Sequence, residues 1–80
     1  MPEHPDTQWV VRDLGDLGRA IRHFRAQRGF DQASLATAAG INRTYLSALE
    51  RGVATEQTSR LFRVLRRLGL EVVVRPAETR

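Results

Sequence analysis

The sequence has 80 residues, 41% of them hydrophobic and none of them cysteine, so it predicts one small domain with a thin core and excludes disulfides and cysteine–zinc sites. Its two histidines lack metal-ligand spacing, no apolar run approaches the roughly 18 residues of a membrane span, and no signal peptide is visible, so we expect a cytoplasmic protein without metal, cofactor or membrane contact. All thirteen basic residues are arginines and residues 17–80 carry a net charge of +7, which indicates either a polyanionic partner or simply a soluble basic surface.

The N-terminal arm contains a loose segment and a short strand. Residues 1–7 include two prolines and predict a loose terminus, whereas residues 8–12 are β-branched and aromatic and predict a strand. The first helix then begins at a cap among the aspartates near Asp13 and ends at Gly29. We expect its inward-facing residues to be Leu14, Leu17, Ile21 and Phe24, and its outward-facing residues to be Arg19, Arg22, His23 and Arg25.

Two short helices follow with a glycine between them. The second helix is predicted from about Gln32 to Ala39, and the third from residue 43 to about residue 51 with Asn42 as its cap. Gly40 makes the turn between them, and Gly52 ends the third. The inward-facing residues are expected to be Leu35, Ala36 and Ala39 in the second helix and Tyr45, Leu46 and Leu49 in the third.

A fourth helix and a strand complete the chain. Thr55 is the candidate cap of this helix and Gly69 ends it. Residues 70–76 are rich in valine and predict a strand that Pro76 closes, and residues 77–80 form a tail. The inner face of the fourth helix is expected to consist of Leu61, Phe62, Leu65 and Leu68.

The outer face of the third helix is short, polar and mostly cationic or hydroxylated. Such a face fits the major groove of DNA, where arginine binds guanine with two hydrogen bonds and hydroxyl groups meet other base edges. Two helices joined at a small-residue turn are also the helix-turn-helix arrangement, in which the second helix reads bases. The residues on this face are Arg43, Thr44, Ser47 and Arg51, flanked by Ala48 and Glu50.

The segment LGRAIRHFRAQRGFDQASLATAAGINRTYLSALERG resembles the DNA-binding domain of phage repressors and the Xre family. The resemblance covers Leu17 to about Leu68. It implies a mainly α-helical, lambda-repressor-like fold of four to five helices over residues 14–69, with double-stranded DNA as its partner. One departure is Asp31, where the family usually has threonine or serine, and its charge would lie near DNA phosphate.

The resemblance also assigns roles to individual positions. The resemblance implies that the base-reading residues are Arg43, Thr44, Ser47 and Ala48. It implies that the phosphate-binding residues are Gln32, Asn42 and Arg51. Gln32 would either contact phosphate or buttress the reading helix. The alternative for these side chains is an ordinary solvated surface or, for Ser47, passive lining of the groove.

A lone strand is not stable, so residues 70–76 need a partner. That partner is either the same strand of a second chain or the strand of residues 8–12, from the same or the other chain. We expect a small sheet at a two-fold dimer interface that sets the reading helices about one DNA turn apart, on an inverted-repeat operator. The interface residues are predicted to be Leu70, Val72, Val73, Val74 and Trp9.

The segment VLRRLGLEVVVRP resembles the HipB group, the antitoxins of HipA-type kinase modules. That resemblance implies a protein that represses its own operon and binds a HipA-like kinase toxin. The alternatives are a stand-alone Xre-type regulator and a protein-interaction module that has lost DNA binding. An enzyme is not expected, because the serines and glutamates form no nucleophile–base pattern and the glycines match no phosphate loop.

Overall fold

The computed structural model describes residues 8–77, which form four helices and two short strands. The mainly α-helical fold with a small sheet is therefore confirmed, whereas the predictions for residues 1–7 and 78–80 lie outside the described residues. In chain order the elements are β1 (Trp9–Val11), α1 (Leu14–Gln27), α2 (Gln32–Ala39), α3 (Arg43–Glu50), α4 (Glu56–Arg67) and β2 (Val72–Val74).

Each helix begins at a residue whose side chain accepts a hydrogen bond from the backbone of the first turn. These bonds satisfy N–H groups that have no partner within the helix, so they fix where each helix starts. Gly40 ends α2 with a φ of 73°, a left-handed conformation that a residue with a Cβ adopts only with strain. The predicted caps Asn42 and Thr55 are confirmed, the cap among the first aspartates is Asp13, and Asp31 caps α2.

The two strands pair with each other in an antiparallel sheet within one chain. Trp9 lies opposite Val74, and Val11 lies opposite Val72. Of the strand partners that the sequence left open, the structure contains the intrachain one. Val73 points to the outer side of the sheet and is exposed.

The core lies between the sheet, α1 and α4. Its buried residues are Val11, Leu14, Ala20 and Phe62. Several of the residues predicted at a dimer interface or on inner faces pack against this cluster in the same chain. They are Trp9, Leu17, Leu65, Val72 and Val74.

Several residues lie elsewhere than the sequence predicts. Tyr45, Leu61 and Leu68 are exposed rather than inward-facing, at 53%, 55% and 66%. Ala39 is also exposed, because the short helix α2 reaches the protein interior through Ala36. His23, expected on the surface, is half-buried against two aromatic rings.

The orientation of α4 explains two of these corrections. Phe62 is buried and Leu65 packs against the core. In a helix of 3.6 residues per turn, Leu61 and Leu68 lie roughly 100–120° around the axis from Phe62. The apolar stripe of α4 is therefore wider than the part that the core of this chain covers. Leu70 is exposed for a different reason, since it precedes β2 and does not take part in its alternation.

A glycine in α1 sets how closely this helix approaches α3. Gly18 is buried, and a Cβ built there would lie 2.3 Å from the carbonyl oxygen of Leu49 and 2.8 Å from that of Glu50. No side chain fits that space unless the backbone moves. Gly18 therefore allows α1 to lie directly against the C-terminal turn of α3.

Candidate nucleic-acid interface

The α2–turn–α3 unit holds α3 by one side and leaves the other open. Leu46 is buried beneath α3, and Ala36 is buried beneath α2. The backbone N–H of Ile41 donates to the carbonyl of Ala36 at 3.0 Å, which closes the turn that begins at Gly40. This geometry presents the side of α3 opposite Leu46 to solvent.

The residues predicted to read bases lie together on that open side. Arg43 and Thr44 are exposed and Ser47 is half-buried. These three and Arg51 line one surface depression. Ala48, also predicted to read bases, is half-buried and does not line the depression. The depression therefore offers two guanidinium groups and two hydroxyl groups to a ligand.

The residues predicted to bind phosphate lie at the edges of this face. The Asn42 side-chain oxygen accepts from the N–H of Tyr45 at 2.8 Å, and its amide NH₂ group is a hydrogen-bond donor. Arg51 caps the C-terminal end of α3 and is exposed. Gln32 donates to Glu50 at 3.0 Å, which is the buttressing contact that was one of its two predicted roles.

A paired arginine and glutamate join α1 to the end of α3. The Arg25 Nε donates to Glu50 Oε2 at 2.6 Å, and a second guanidinium nitrogen donates to Oε1 at 3.0 Å. Only 14% of the Arg25 side chain and 4% of the Glu50 side chain are exposed. Together with the Gln32 amide, this bidentate pair forms a three-residue clasp that connects α1, α2 and α3.

Arg25 was expected on the outer side of the first helix and Glu50 beside the open face of the third, and both expectations are wrong. The two residues lie 25 positions apart, so no local spacing pairs them. Arg25 also donates to the carbonyl of Phe30 at 3.0 Å, so it fixes the α1–α2 connection as well. The clasp therefore links α3 to α1, to α2 and to the connection between them.

Hydrogen bonding keeps the clasp charged. The hydrogen bond from Arg25 holds the pKa of the Glu50 carboxyl below its usual value, against the opposing effect of burial, and the Gln32 amide adds to the lowering. The same bond raises the pKa of Arg25. A carboxylate and a guanidinium with several shared hydrogen bonds are held in one geometry.

Asp31 places a negative charge beside this cationic face. Its carboxylate accepts from the backbone N–H of Ser34 at 2.7 Å, and hydrogen bonds from Ser34 lower the pKa of the carboxyl. The charges of Arg25 and Arg43 lower the pKa further. Asp31 is therefore ionised at neutral pH and attracts Arg43, the first residue of α3.

Other kinds of site find little support in the part of the chain that the structure describes. Across residues 8–77, no group of three or more histidine, aspartate and glutamate side chains lies in a position to hold a metal ion. No helix in that range combines the length and apolarity needed to cross a membrane.

Comparison with known proteins agrees with this geometry. The helix-turn-helix domain family matches residues 16–77. The HTH-type transcriptional regulator SlrR of Bacillus subtilis is 44% identical over 39 residues, which cover 49% of this chain and only 26% of that protein. The uncharacterized HTH-type transcriptional regulator y4mF of Sinorhizobium fredii is 30% identical over 71 residues, which cover 88% of this chain and 93% of that protein. No solved structure matches significantly. The chain therefore belongs to the Xre-like helix-turn-helix family of transcriptional regulators.

Proposed function

We propose that the protein is a sequence-specific transcriptional repressor that binds an inverted-repeat DNA operator as a homodimer, with α3 in the major groove. The observation that carries the proposal is the shared exposed face of Arg43, Thr44, Ser47 and Arg51. The two transcriptional regulators described above, one similar over about half of this chain and the other over most of it, support DNA as the ligand.

Arg43 is the residue proposed to supply most of the base specificity. As the first residue of α3, it lies at the end of the helix that helix-turn-helix proteins point at base edges. Its guanidinium matches the O6 and N7 acceptors of guanine with two hydrogen bonds. Thr44, Ser47 and Ala48 are assigned to the neighbouring base edges.

The phosphate contacts are proposed at both ends of α3. Asn42 offers its amide group at the start of the helix, and Arg51 offers its guanidinium at the end. Such contacts fix the register of the protein on the duplex without selecting sequence. The Arg25–Glu50–Gln32 clasp ties α3 to α1 and α2, so less conformational freedom is lost when DNA binds.

The proposed homodimer matches the two-fold symmetry of the proposed inverted repeat. Two copies of α3 about 34 Å apart would enter successive major grooves on one side of the duplex. Of the residues first predicted at the interface, Leu70 and Val73 are exposed and available to a second copy. The other three, Trp9, Val72 and Val74, pack against the core of their own chain.

We extend the proposal to an autoregulatory antitoxin of a HipA-like kinase, supported by the resemblance of residues 64–76 to the HipB group. A stand-alone regulator without a toxin is the alternative. Co-expression with the product of the adjacent reading frame separates the two. A kinase-like neighbour that co-purifies in a fixed ratio is expected for an antitoxin, and a neighbour that does not bind contradicts that role.

Selection of binding sites from a random duplex pool tests the DNA-binding proposal. The wild-type protein should enrich an inverted repeat, and Arg43→Ala should relax one position per half-site, a loss of about 1–3 kcal/mol of discrimination. Arg51→Ala should weaken all sequences alike and reduce the salt slope by about one unit. The matched control is Arg60→Ala, because Arg60 is an exposed arginine on α4.

Two outcomes contradict the proposal. An unchanged base preference in Arg43→Ala removes that residue from base reading. Failure of the wild-type protein to enrich any sequence favours the interaction-module alternative, in which the fold remains and DNA binding is lost.

A further inference from the structure

A second depression adjoins the one on the open face of α3. It is lined by Arg22, Arg25, Gln32, Ser47, Glu50 and Arg51. Two of these residues, Ser47 and Arg51, also line the depression that contains Arg43 and Thr44. The two depressions are therefore neighbours, and the second extends the open surface of α3 as far as α1. We call this second depression the α1 depression.

The α1 depression carries more positive than negative charge. It contains three guanidinium groups and one carboxylate, that of Glu50. Arg25 donates two hydrogen bonds to this carboxylate, so these two charges compensate each other. Arg22 and Arg51 remain, and among residues 8–77 neither guanidinium group takes part in a hydrogen bond or an ion pair. The depression therefore presents two uncompensated positive charges, which favour a bound anion.

The packing of α1 on α3 explains why Arg22 lies in this depression. Gly18 allows α1 to lie directly against the C-terminal turn of α3, and Arg22 follows Gly18 on the same side of α1, one turn later. The pKa of Glu50 is lowered mainly by the hydrogen bond from Arg25, and the charge of Arg22 adds a smaller lowering. Arg22 is exposed, as expected, but it is exposed beside the end of α3.

The start of α2 is a poor position for a phosphate in this chain. The N-terminus of a helix binds anions through backbone N–H groups that have no partner within the helix. At the start of α2 the carboxylate of Asp31 already accepts from the N–H of Ser34 at 2.7 Å. A DNA phosphate at this helix end would meet a negative charge, whereas in the α1 depression the carboxylate is compensated.

We propose that Arg22 is a further phosphate-binding residue, which holds the DNA backbone together with Arg51 in the α1 depression. Arginine suits this role because its planar guanidinium group donates two hydrogen bonds to one phosphate. The amide of Gln32 has a second N–H besides the one it donates to Glu50, and this N–H is a further donor in the depression. The inference rests on the proposed function and adds α1 to its DNA contacts.

The salt dependence of DNA binding by Arg22→Ala tests the phosphate contact. Fluorescence anisotropy is measured between about 50 and 200 mM salt with a labelled duplex from just upstream of the start codon and with a scrambled duplex. The variant should bind both duplexes more weakly by the same factor, and its salt slope should fall by about one unit. The ratio of wild-type to variant affinity should therefore shrink about three- to four-fold over this salt range.

Two control variants separate the contact from loss of a charge in general. Arg19→Ala removes an arginine one turn earlier on α1, which is paired with Asp16 and lines neither depression. Its salt slope should stay close to that of the wild-type protein. Arg22→Lys keeps the positive charge, so it should recover most of the salt slope that Arg22→Ala loses.

A purely structural role for Arg22 predicts a different result. Its charge would then only offset the negative C-terminal end of the α3 dipole. Arg22→Ala would lower the melting temperature and leave the salt slope unchanged. The phosphate contact predicts a changed salt slope and a melting temperature close to that of the wild-type protein, because the Arg22 side chain is exposed.

Two results would overturn the inference while leaving the proposed function intact. One is a wild-type protein that prefers the native duplex while Arg22→Ala keeps the salt slope of Arg19→Ala. The other is an altered preference between the two duplexes in Arg22→Ala, which would indicate base reading rather than a phosphate contact. A wild-type protein that does not distinguish the two duplexes would contradict the proposed function and this inference with it.

Discussion

The Arg25–Glu50 pair makes the strongest prediction about stability. Replacing Glu50 by leucine leaves the guanidinium of Arg25 without its acceptor at a site where only 14% of that side chain is exposed. Replacing Arg25 by methionine leaves the Glu50 carboxylate, 4% exposed, with only the Gln32 amide. Each single substitution therefore isolates a charge that water reaches poorly.

The burial of the Arg25–Glu50 pair sets the size of the expected loss of stability. Removing one partner of a fully buried ion pair costs about 3–5 kcal/mol, and we take the lower end, about 3 kcal/mol, because the site opens to solvent on one side. An 80-residue domain has a total stability of roughly 4–12 kcal/mol. A loss of about 3 kcal/mol should lower the melting temperature by about 12–24 °C.

The double variant distinguishes isolation of a charge from loss of packing. With both Arg25→Met and Glu50→Leu, no charge is left buried and both replacements are apolar, so the double variant should be more stable than either single variant. Urea unfolding followed by Trp9 fluorescence and circular dichroism measures the free energy of unfolding of all four proteins. The reasoning is refuted if each single substitution costs less than about 0.5 kcal/mol, or if the two losses simply add.

Three further predictions concern pH, packing and charge. Because the pKa of Glu50 is lowered in the folded state, the stabilisation that its carboxylate gives should be constant above about pH 5 and decline as the pH falls below about 4.3. The difference in unfolding free energy between wild type and Glu50→Gln should follow that course. A difference that does not change with pH would contradict this expectation. Gly18→Ala should destabilise the folded protein by about 2 kcal/mol or more in thermal unfolding, because the added Cβ would meet backbone atoms. The control is Gly15→Ala, where the nearest atom belongs to a side chain 3.3 Å from the added Cβ, so the change should stay within about 1 kcal/mol. Equal losses of stability in the two variants would refute the packing argument. Asp31→Ser keeps a capping side chain and removes a carboxylate beside the proposed DNA-binding face, so it should tighten DNA binding several-fold in anisotropy titrations. The control is Glu71→Ser, which makes the same charge change next to β2 and should have a smaller effect. Equal effects of the two substitutions would reject a local role for Asp31.

Local chemistry explains what could be predicted from the sequence. Helix starts depend on one side chain and the N–H groups two or three residues later, so Asp13, Asp31, Asn42 and Thr55 were identifiable as caps without tertiary information. The exposed face of α3 was identifiable for a similar reason. Its residues recur at helical spacing within nine positions, and the structure brings four of them to one depression.

Tertiary contacts explain what could not be predicted. Periodicity identifies the apolar stripe of α4 but does not tell which part of the stripe the core covers, so Leu61 and Leu68 were assigned to the inside. The Arg25–Glu50 pair joins residues 25 positions apart. Gly18 gives no sign in the sequence that the C-terminal turn of α3 lies against it.

The most direct test of the central claim, that the open face of α3 reads DNA bases, is fluorescence anisotropy with a labelled duplex from just upstream of the start codon of this protein. A scrambled duplex of the same length and composition is the control, and both are titrated at two salt concentrations with wild type and Arg43→Ala. We expect the wild-type protein to prefer the native duplex, with affinity that falls steeply as salt rises, and Arg43→Ala to lose most of that preference. Equal, weak binding of the wild-type protein to both duplexes would contradict the claim.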